Sequence, residues 1–297
     1  MGGLYRFLLL MVVAAPPISS SNRWFQSLIG FGVVLLVLAG LWEGYKLVGL
    51  TDLPLPVRAD DRSMPHLWDI VKSIFEPARR GSEESLGWVL AKASMVTFRE
   101  AVAGFAAGSL IGLGLGLLFV RSPLAERGLM PWVIASQTIP LLAIAPMVVL
   151  WAGKYRLPLW IPIAALAAFL SFFPVTVNTI RGLRSPSPTS AQLFRSFAAS
   201  SAQEFRKLRI PAAFPYLFTA LKVAAGASVV GTIVGELPSG LPDGLGRQLL
   251  TFSYYYSSGP EKLYAAVLFA VLLGLTFVGI VAVIERLVIP PARRVVP

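Results

Sequence analysis

The sequence has no cysteine and one histidine, His66. The first absence excludes disulfides and thiolate chemistry, and the second excludes a histidine-based metal site. Charge is scarce too: 14% of the residues are charged, where a soluble domain of this length carries about 25%. No Gly-x-x-x-x-Gly-Lys-Ser/Thr occurs to cradle a nucleotide phosphate, and there is no Gly-x-Ser-x-Gly elbow or His-Glu-x-x-His pair. No span carries paired carboxylates. These gaps leave no catalytic constellation and no cofactor to expect, and no fixed-period repeat stands out. What remains is apolar. Of 297 residues, 56% are hydrophobic, mean hydropathy is +0.71, and several runs reach the roughly 20 residues that cross a bilayer. The chain reads as an all-α, polytopic membrane protein. Its net charge of +11 does not imply nucleic acid, because the basic residues stand beside the spans. There they fit the positive-inside rule and contact with anionic membrane lipid.

Six spans are expected: Ser27–Leu50, Val89–Val120, Leu129–Trp151, Leu157–Ile180, Ala212–Glu236 and Leu263–Pro290. Residues 1–26 read as a cytoplasmic tail, 51–88 as an external loop, 89–290 as a five-helix core, and 291–297 as a second cytoplasmic tail. The short apolar run in Met1–Asn22 somewhat resembles a signal-peptide core, but a hydrophobic span follows at once, so an uncleaved tail or a misassigned start fits better. Glu43 and Lys46 near the end of the first span are placed to snorkel or to pair. In the external loop, Met64–Phe75 is amphipathic and predicts a helix lying on the outer membrane surface. Gly104-x-x-x-Gly108-x-x-x-Gly112 is a repeated small-residue seam that lets helix backbones approach closely. Arg99 and Glu100 beside it read either as interfacial residues or as a buried gate pair.

The third span contains Gln137-Thr-Ile-Pro140 and Pro146. Prolines there free carbonyls and bend the helix, so Gln137, Thr138 and Pro140 are candidates for a pathway through the bundle. Asn178 in the fourth span either lines that pathway or bonds a neighbouring helix. Glu236, after an apolar run, is either functional or a snorkelling interfacial acid. Arg181, Arg184, Arg195, Arg206, Lys207 and Arg209 then crowd one loop opposite Glu204. That asymmetry places residues 185–211 and both termini in the cytoplasm.

Within this loop two helix starts can be read as capping boxes, Thr189-x-x-Gln192 and Ser201-x-x-Glu204. The second helix is expected to run from Ala202 towards Arg209, with Phe205 and Leu208 on one face, and to end at Pro211. The stretch Phe197-Ala-Ala-Ser-Ser-Ala-Gln-Glu-Phe-Arg-Lys-Leu-Arg-Ile-Pro211, followed by Ala-Ala-Phe-Pro215, resembles the cytoplasmic EAA loop of permease subunits in bacterial ATP-driven (ABC) importers. Two departures stand out. Gln192-Leu193-Phe194 replaces the family's Glu-Ala-Ala, and Ala198 stands where the family has glycine. If Ala198 adopts a left-handed turn, it does so at a cost of roughly 1–2 kcal/mol.

The resemblance implies a type I importer fold and a coupling helix docked on a separate ATPase. The implied coupling residues are Phe197, Ala198, Ser201, Gln203, Glu204, Phe205, Arg206, Leu208 and Pro211. It further implies an external solute-binding protein and a second permease copy in a bacterial inner membrane. Gln137 to Gly153 resembles the nitrate, taurine and sulfonate branch, which also includes carriers of riboflavin-like or pyrimidine-type vitamin precursors. A vitamin-type heterocycle is the expected solute, with nitrate, sulfonate or taurine as the alternative. A self-sufficient secondary carrier is the distant one, since such carriers bury acids or histidines in their spans, and the embedded acids here are few.

Overall fold

The computed structural model describes residues 23–49, 60–61, 63–79, 81–240 and 243–289. Among them every regular element is a helix. The readings made for residues 1–22, 50–59 and 290–297 lie outside the described residues. The chain divides into two compact units at Trp68/Asp69, twenty residues earlier than the loop–core boundary read from the sequence.

In the first unit, α1 (Arg23–Gly49) begins four residues before the predicted span. Its 27 residues measure about 40 Å at 1.5 Å each. Val33, Leu36, Leu38 and Leu41 are exposed along it, as suits a lipid-facing helix. Glu43 and Lys46 neither snorkel nor pair with each other. Glu43 accepts the Leu67 N–H at 2.9 Å and lies 2.7 Å from His66 Nδ1, while Lys46 pairs with Asp61 at 2.5 Å. Trp42 donates to the Pro65 carbonyl at 3.1 Å. Together these contacts fold the segment 60–67 back on α1. The hydrogen bond and charge of Lys46 hold the Asp61 carboxyl below its ordinary range. Since Asp61 is depressed in the fold, its contribution is present near neutrality and is lost as pH falls through that lowered value.

Helix α2 (Leu67–Phe75) is the amphipathic helix the periodicity predicted. It is followed by α3 (Leu86–Arg121), α4 (Pro123–Ser136), α5 (Leu141–Lys154), α6 (Trp160–Leu183) and α7 (Pro188–Ser196). Then come α8 (Ser201–Ser239), α9 (Leu245–Tyr254) and α10 (Pro260–Val288). Helices α3, α6, α8 and α10 are each long and apolar enough to cross a membrane. The stretch read as a third span is two helices, α4 and α5, meeting at 97°. Residues Gln137–Pro140 form the break: Thr138 Oγ1 turns back to the Ala135 carbonyl at 2.8 Å, and Pro140 takes an extended conformation as the cap of α5. Pro131 and Pro146 stay inside their helices. At the Gln137–Pro140 break, polar side chains take up freed backbone groups.

Helix α6 is wedged between α3 and α8, and small residues set the spacing. A Cβ on Gly104 would lie 2.6 Å from the Ala164 carbonyl oxygen. On Gly108 it would lie 2.6 Å from the Ala168 oxygen, and on Gly112 2.5 Å from the Phe172 oxygen. Gly116 continues the seam against Thr179. The close approach read from the Gly104–Gly112 spacing is thus made within the chain, with α6 filling the seam. On the other side of α6, Gly231 approaches Ala167 and Gly182 approaches Ala213. Ser171 Oγ donates to the Ala167 carbonyl of its own helix and lies 3.2 Å from the Ala224 carbonyl of α8. Where α3, α8 and α10 meet, Phe98 and Phe105 set their rings edge-on to Phe277, at 5.2 and 5.1 Å between centroids. Burial there is aromatic and aliphatic, with Phe218, Val229 and Val281 completing the core.

Candidate functional site

Two groups of polar residues gather in this fold, one at each end of α8. The first is the polar loop. Helix α7 begins with Ser187 as its cap, the side chain accepting the Ser190 N–H at 3.2 Å, rather than with Thr189. Pro188 decides this: its fixed φ and missing N–H suit the first helical position, so the residue before it becomes the cap. After Ser196 the chain turns through Ala198, whose φ of 54° is the left-handed conformation that the glycine-to-alanine departure put at risk. Helix α8 begins with a full capping box one residue before the predicted one. Ser200 Oγ accepts the Gln203 N–H at 3.3 Å, and Gln203 Oε1 accepts the Ser200 N–H at 2.8 Å. Ser201 is therefore the first residue of the helix and not its cap.

Nor does Pro211 end this helix. Residues Phe205–Arg209 form a π turn, in which the Ile210 N–H bonds the Phe205 carbonyl, and α8 runs on to Ser239. The wider turn accommodates the proline ring that would collide with a carbonyl in a regular helix. It also brings residues five apart onto one face. Glu204, buried, accepts from Arg209 Nε at 3.0 Å and Nη2 at 2.8 Å, with Arg195 Nε at 3.9 Å. Arg121, at the end of α3, lies 5.5 Å over the Phe205 ring, a cation–π contact. Arg184 closes the loop's other flank with two hydrogen bonds to Glu126, of 2.9 and 2.6 Å.

The result is a fixed base with a presented rim. Phe205, Leu208 and Pro211 are half-buried and Arg206 is exposed. Phe197 is 79% exposed and Leu193 56%. These two, with Phe194, Gln203 and Lys207, line a groove of about 300 Å³. Thus the structure brings Phe197 and Gln203 together at a surface, and turns Glu204 and Phe205 towards the protein's own scaffold. Sequence reading missed Arg121 and Glu126 because their contacts join segments far apart in the chain, and Ser187 because Thr189 offered a competing cap.

At the other end of α8, Glu236 is fully buried, so it is not a snorkelling acid. Thr97 Oγ1 lies 2.6 Å from its Oε1, and the Gly246 N–H donates to its Oε2 at 2.6 Å. The Leu245 N–H donates to the same Thr97 hydroxyl at 2.9 Å. A side chain on Gly244 or Gly246 would collide with the carboxyl. Glu236 is in this way the clasp that holds the Gly244–Gly246 turn against α3 and α8. Glu100 is also buried and lies beside Glu236. Arg99 is exposed, since neighbouring residues on a helix point apart, so the two do not form a buried Arg99–Glu100 pair. Thr97 gave no signal in the sequence.

The remaining pathway candidates do not gather around Glu236. Gln137, Thr138 and Pro140 are exposed at the α4–α5 break, with Gln137 Nε2 on Ser136 Oγ at 3.2 Å. Asn178 is half-buried and spends its amide on the Pro174 carbonyl of its own helix, at 2.9 Å.

The family model described as "Binding-protein-dependent transport system inner membrane component" matches residues 105–290. The formylaminopyrimidine transport permease protein ThiX of Halalkalibacterium halodurans is 38% identical over 128 residues, 43% of this chain and 50% of that protein. A probable ABC transporter permease protein of Haemophilus influenzae is 34% identical over 46% of this chain and 55% of its own length. The chain thus matches about half the length of these two relatives. The nitrate import permease protein NrtB of Synechocystis is 25% identical over 88% of this chain and 90% of that protein. Among solved structures, the inward-facing MetNI methionine ABC transporter aligns with a TM-score of 0.56 at 18% identity, covering 68% of this chain and 97% of the aligned one. That likeness is one of fold.

Proposed function

Because this chain belongs to the family of binding-protein-dependent transport system inner membrane components, we propose that it is the permease subunit of an ATP-driven importer. It is a multi-pass membrane protein that forms the pathway for a small solute delivered by an external binding protein. Hydrolysis of ATP falls to a separate ATPase subunit, and this chain performs no catalysis. The functional unit holds two permease copies on two ATPases. The observation that carries the reading is the loop 187–211. Two short helical segments are braced from beneath by Glu204–Arg209 and Arg121–Phe205, and present Phe197 and Leu193 outwards. An apolar anchor on a rigid base is what a partner's groove binds. The other coupling residues, Ala198, Ser201, Gln203, Arg206, Leu208 and Pro211, shape or flank that base.

For the solute, a vitamin-type heterocycle is supported by the formylaminopyrimidine permease relative, and by a riboflavin transport permease of Chloroflexus aurantiacus, 28% identical over 73% of this chain. A small oxyanion is the second reading, favoured by the nitrate permease that matches over most of both chains. The buried Glu100–Glu236 pair is the one feature a self-sufficient carrier would share.

The test is co-purification of the ATPase, together with solute-stimulated ATP hydrolysis in liposomes. Losing a buried aromatic anchor costs at least about 2 kcal/mol of binding, roughly thirty-fold in affinity. Phe197→Ala is therefore expected to release the ATPase while leaving the protein inserted. Phe205→Ala loosens the base instead and acts more mildly. Wild-type coupling in both variants, or transport without any ATPase, would defeat the proposal.

A further inference from the structure

At the end of α8 remote from the coupling loop, a cavity of about 990 Å³ opens between the 76–85 segment, α9 and the start of α10. Three cations converge on it from these three stretches: Arg79, Arg247 and Lys262. Lys262 Nζ donates to the Ala78 carbonyl at 3.0 Å, which ties α10 to the 76–85 segment and keeps two further donors free. Arg79 and Arg247 are exposed and have no carboxylate partner among the described residues. No acid lines the described wall; Glu261, behind Gly259, is a neighbouring carboxyl, and it pairs with none of the three cations. Tyr254 and Tyr255, 75% and 66% exposed, stand in the same wall beside Gln248.

We propose that this cavity binds a small solute in which a planar ring carries a carboxylate, sulfonate or phosphate group. Guanidinium groups match such oxyanions through paired N–H donors, and three unneutralised cations in one recess concentrate an anion there before any contact forms. Tyrosine rings offer a flat apolar face with a polar tip at little entropic cost. The volume is that of a small-molecule site, and a recess this concave favours a solute over the broad surface of a protein. The inference rests on the importer reading and deepens it, since α8 alone separates this cavity from the coupling loop by about 45 Å over its 30 residues from Ile210 to Ser239. The cavity is then the first station on the side away from the ATPase.

The experiment uses the full chain with its ATPase in phosphatidylcholine nanodiscs, without the binding protein. Binding of benzenesulfonate, of its neutral counterpart benzenesulfonamide and of ring-free methanesulfonate is followed by calorimetry. Benzenesulfonate is expected to bind at least about tenfold more tightly than either control, a margin of about 1.4 kcal/mol. Arg247→Gln and Arg79→Gln should each remove most of that margin, and Tyr254→Ala should bring benzenesulfonate down to methanesulfonate. Arg247→Lys keeps the charge but not the fork and should fall between. Equal binding of sulfonate and sulfonamide, or unchanged affinity in Arg247→Gln, overturns the proposal. So does competition by phosphatidylglycerol in the disc, which would assign the cations to a lipid headgroup. No sulfonate binding, with Arg247→Gln losing the external binding protein when that protein is added in a second, parallel measurement, would make the cavity a docking site for an acidic protein surface and overturn it as well. Co-purification of the ATPase with every variant is the separate readout for the importer reading. ATPase retained while sulfonate binding fails sinks this inference alone.

Discussion

At the scale of single residues, two positions bear unusual constraint. Ala198 holds a φ of 54°, which costs an alanine roughly 1–2 kcal/mol. Glycine would relieve that cost but enlarges the unfolded ensemble by about 0.4–1 kcal/mol. Ala198→Gly is therefore expected to stabilise the loop slightly, by about 0.5–1 kcal/mol, read as slower proteolysis within 187–211. Faster cleavage would mean that the turn is not strained. Glu236 is the opposite case, a buried carboxylate with both oxygens engaged. Glu236→Gln can keep its oxygen on the Gly246 N–H and turn its N–H₂ to the Thr97 hydroxyl, which then donates to the Ala93 carbonyl. The charge-assisted bonds are nevertheless lost, at a cost of about 1–3 kcal/mol. Loss of transport is expected at normal expression, and Gly244→Ala should mimic it because its Cβ would meet the same carboxyl. Unchanged transport in both variants would reduce the clasp to a structural ornament.

At the scale of elements, the seam between α3 and α6 and the π turn in α8 are where ordinary helix rules give way to neighbours. The glycines of α3 are not equivalent. A Cβ on Gly108 would lie 2.6 Å from a backbone oxygen of α6, whereas one on Gly114 meets nothing within 4 Å. Gly108→Ala must push two helices apart and should cost about 1–3 kcal/mol. Gly114→Ala should gain about 0.5–1 kcal/mol by restricting the unfolded helix residue. Thermal unfolding of the detergent-purified chain, followed by loss of the monodisperse peak, distinguishes them. Equal behaviour would mean that α3 and α6 are not in contact. The π turn makes a related point. Pro211 lies within a continuous helix because the turn before it widens, and the same widening lets Glu204 reach Arg209.

At the scale of the whole molecule, α8 connects a polar end, which we propose faces the ATPase, to a turn clasped by Glu236. The arginine asymmetry of residues 181–209 gives the orientation we propose, with the loop in the cytoplasm. The absence of native cysteine makes the proposal directly measurable. In sealed cells an impermeant thiol reagent should label a cysteine placed at Asp61 and spare one at Ser201. The reverse pattern would invert the orientation and move the cationic cavity to the ATPase side.

Composition and periodicity by themselves determined that this is a helical membrane protein, where most of its long helices run, and that residues 187–211 form a polar helical loop. Apolar length and charge bias are properties of consecutive residues, so they are legible along the chain. The capping residues were nearly legible too, missed by one or two positions because Pro188 and the Ser200–Gln203 pair compete with equally plausible neighbours. The tertiary structure alone decided which side of the loop faces out. Arg121 and Phe205 are 84 positions apart in sequence and meet only because the end of α3 lies beside the start of α8. It alone decided that Glu236 is clasped by Thr97 and Gly246, and that Arg79, Arg247 and Lys262 share one cavity. It also decided that α6 fills the glycine seam. Burial and charge convergence depend on which helices become neighbours, and in an apolar chain that choice is made by close packing, which no local pattern records.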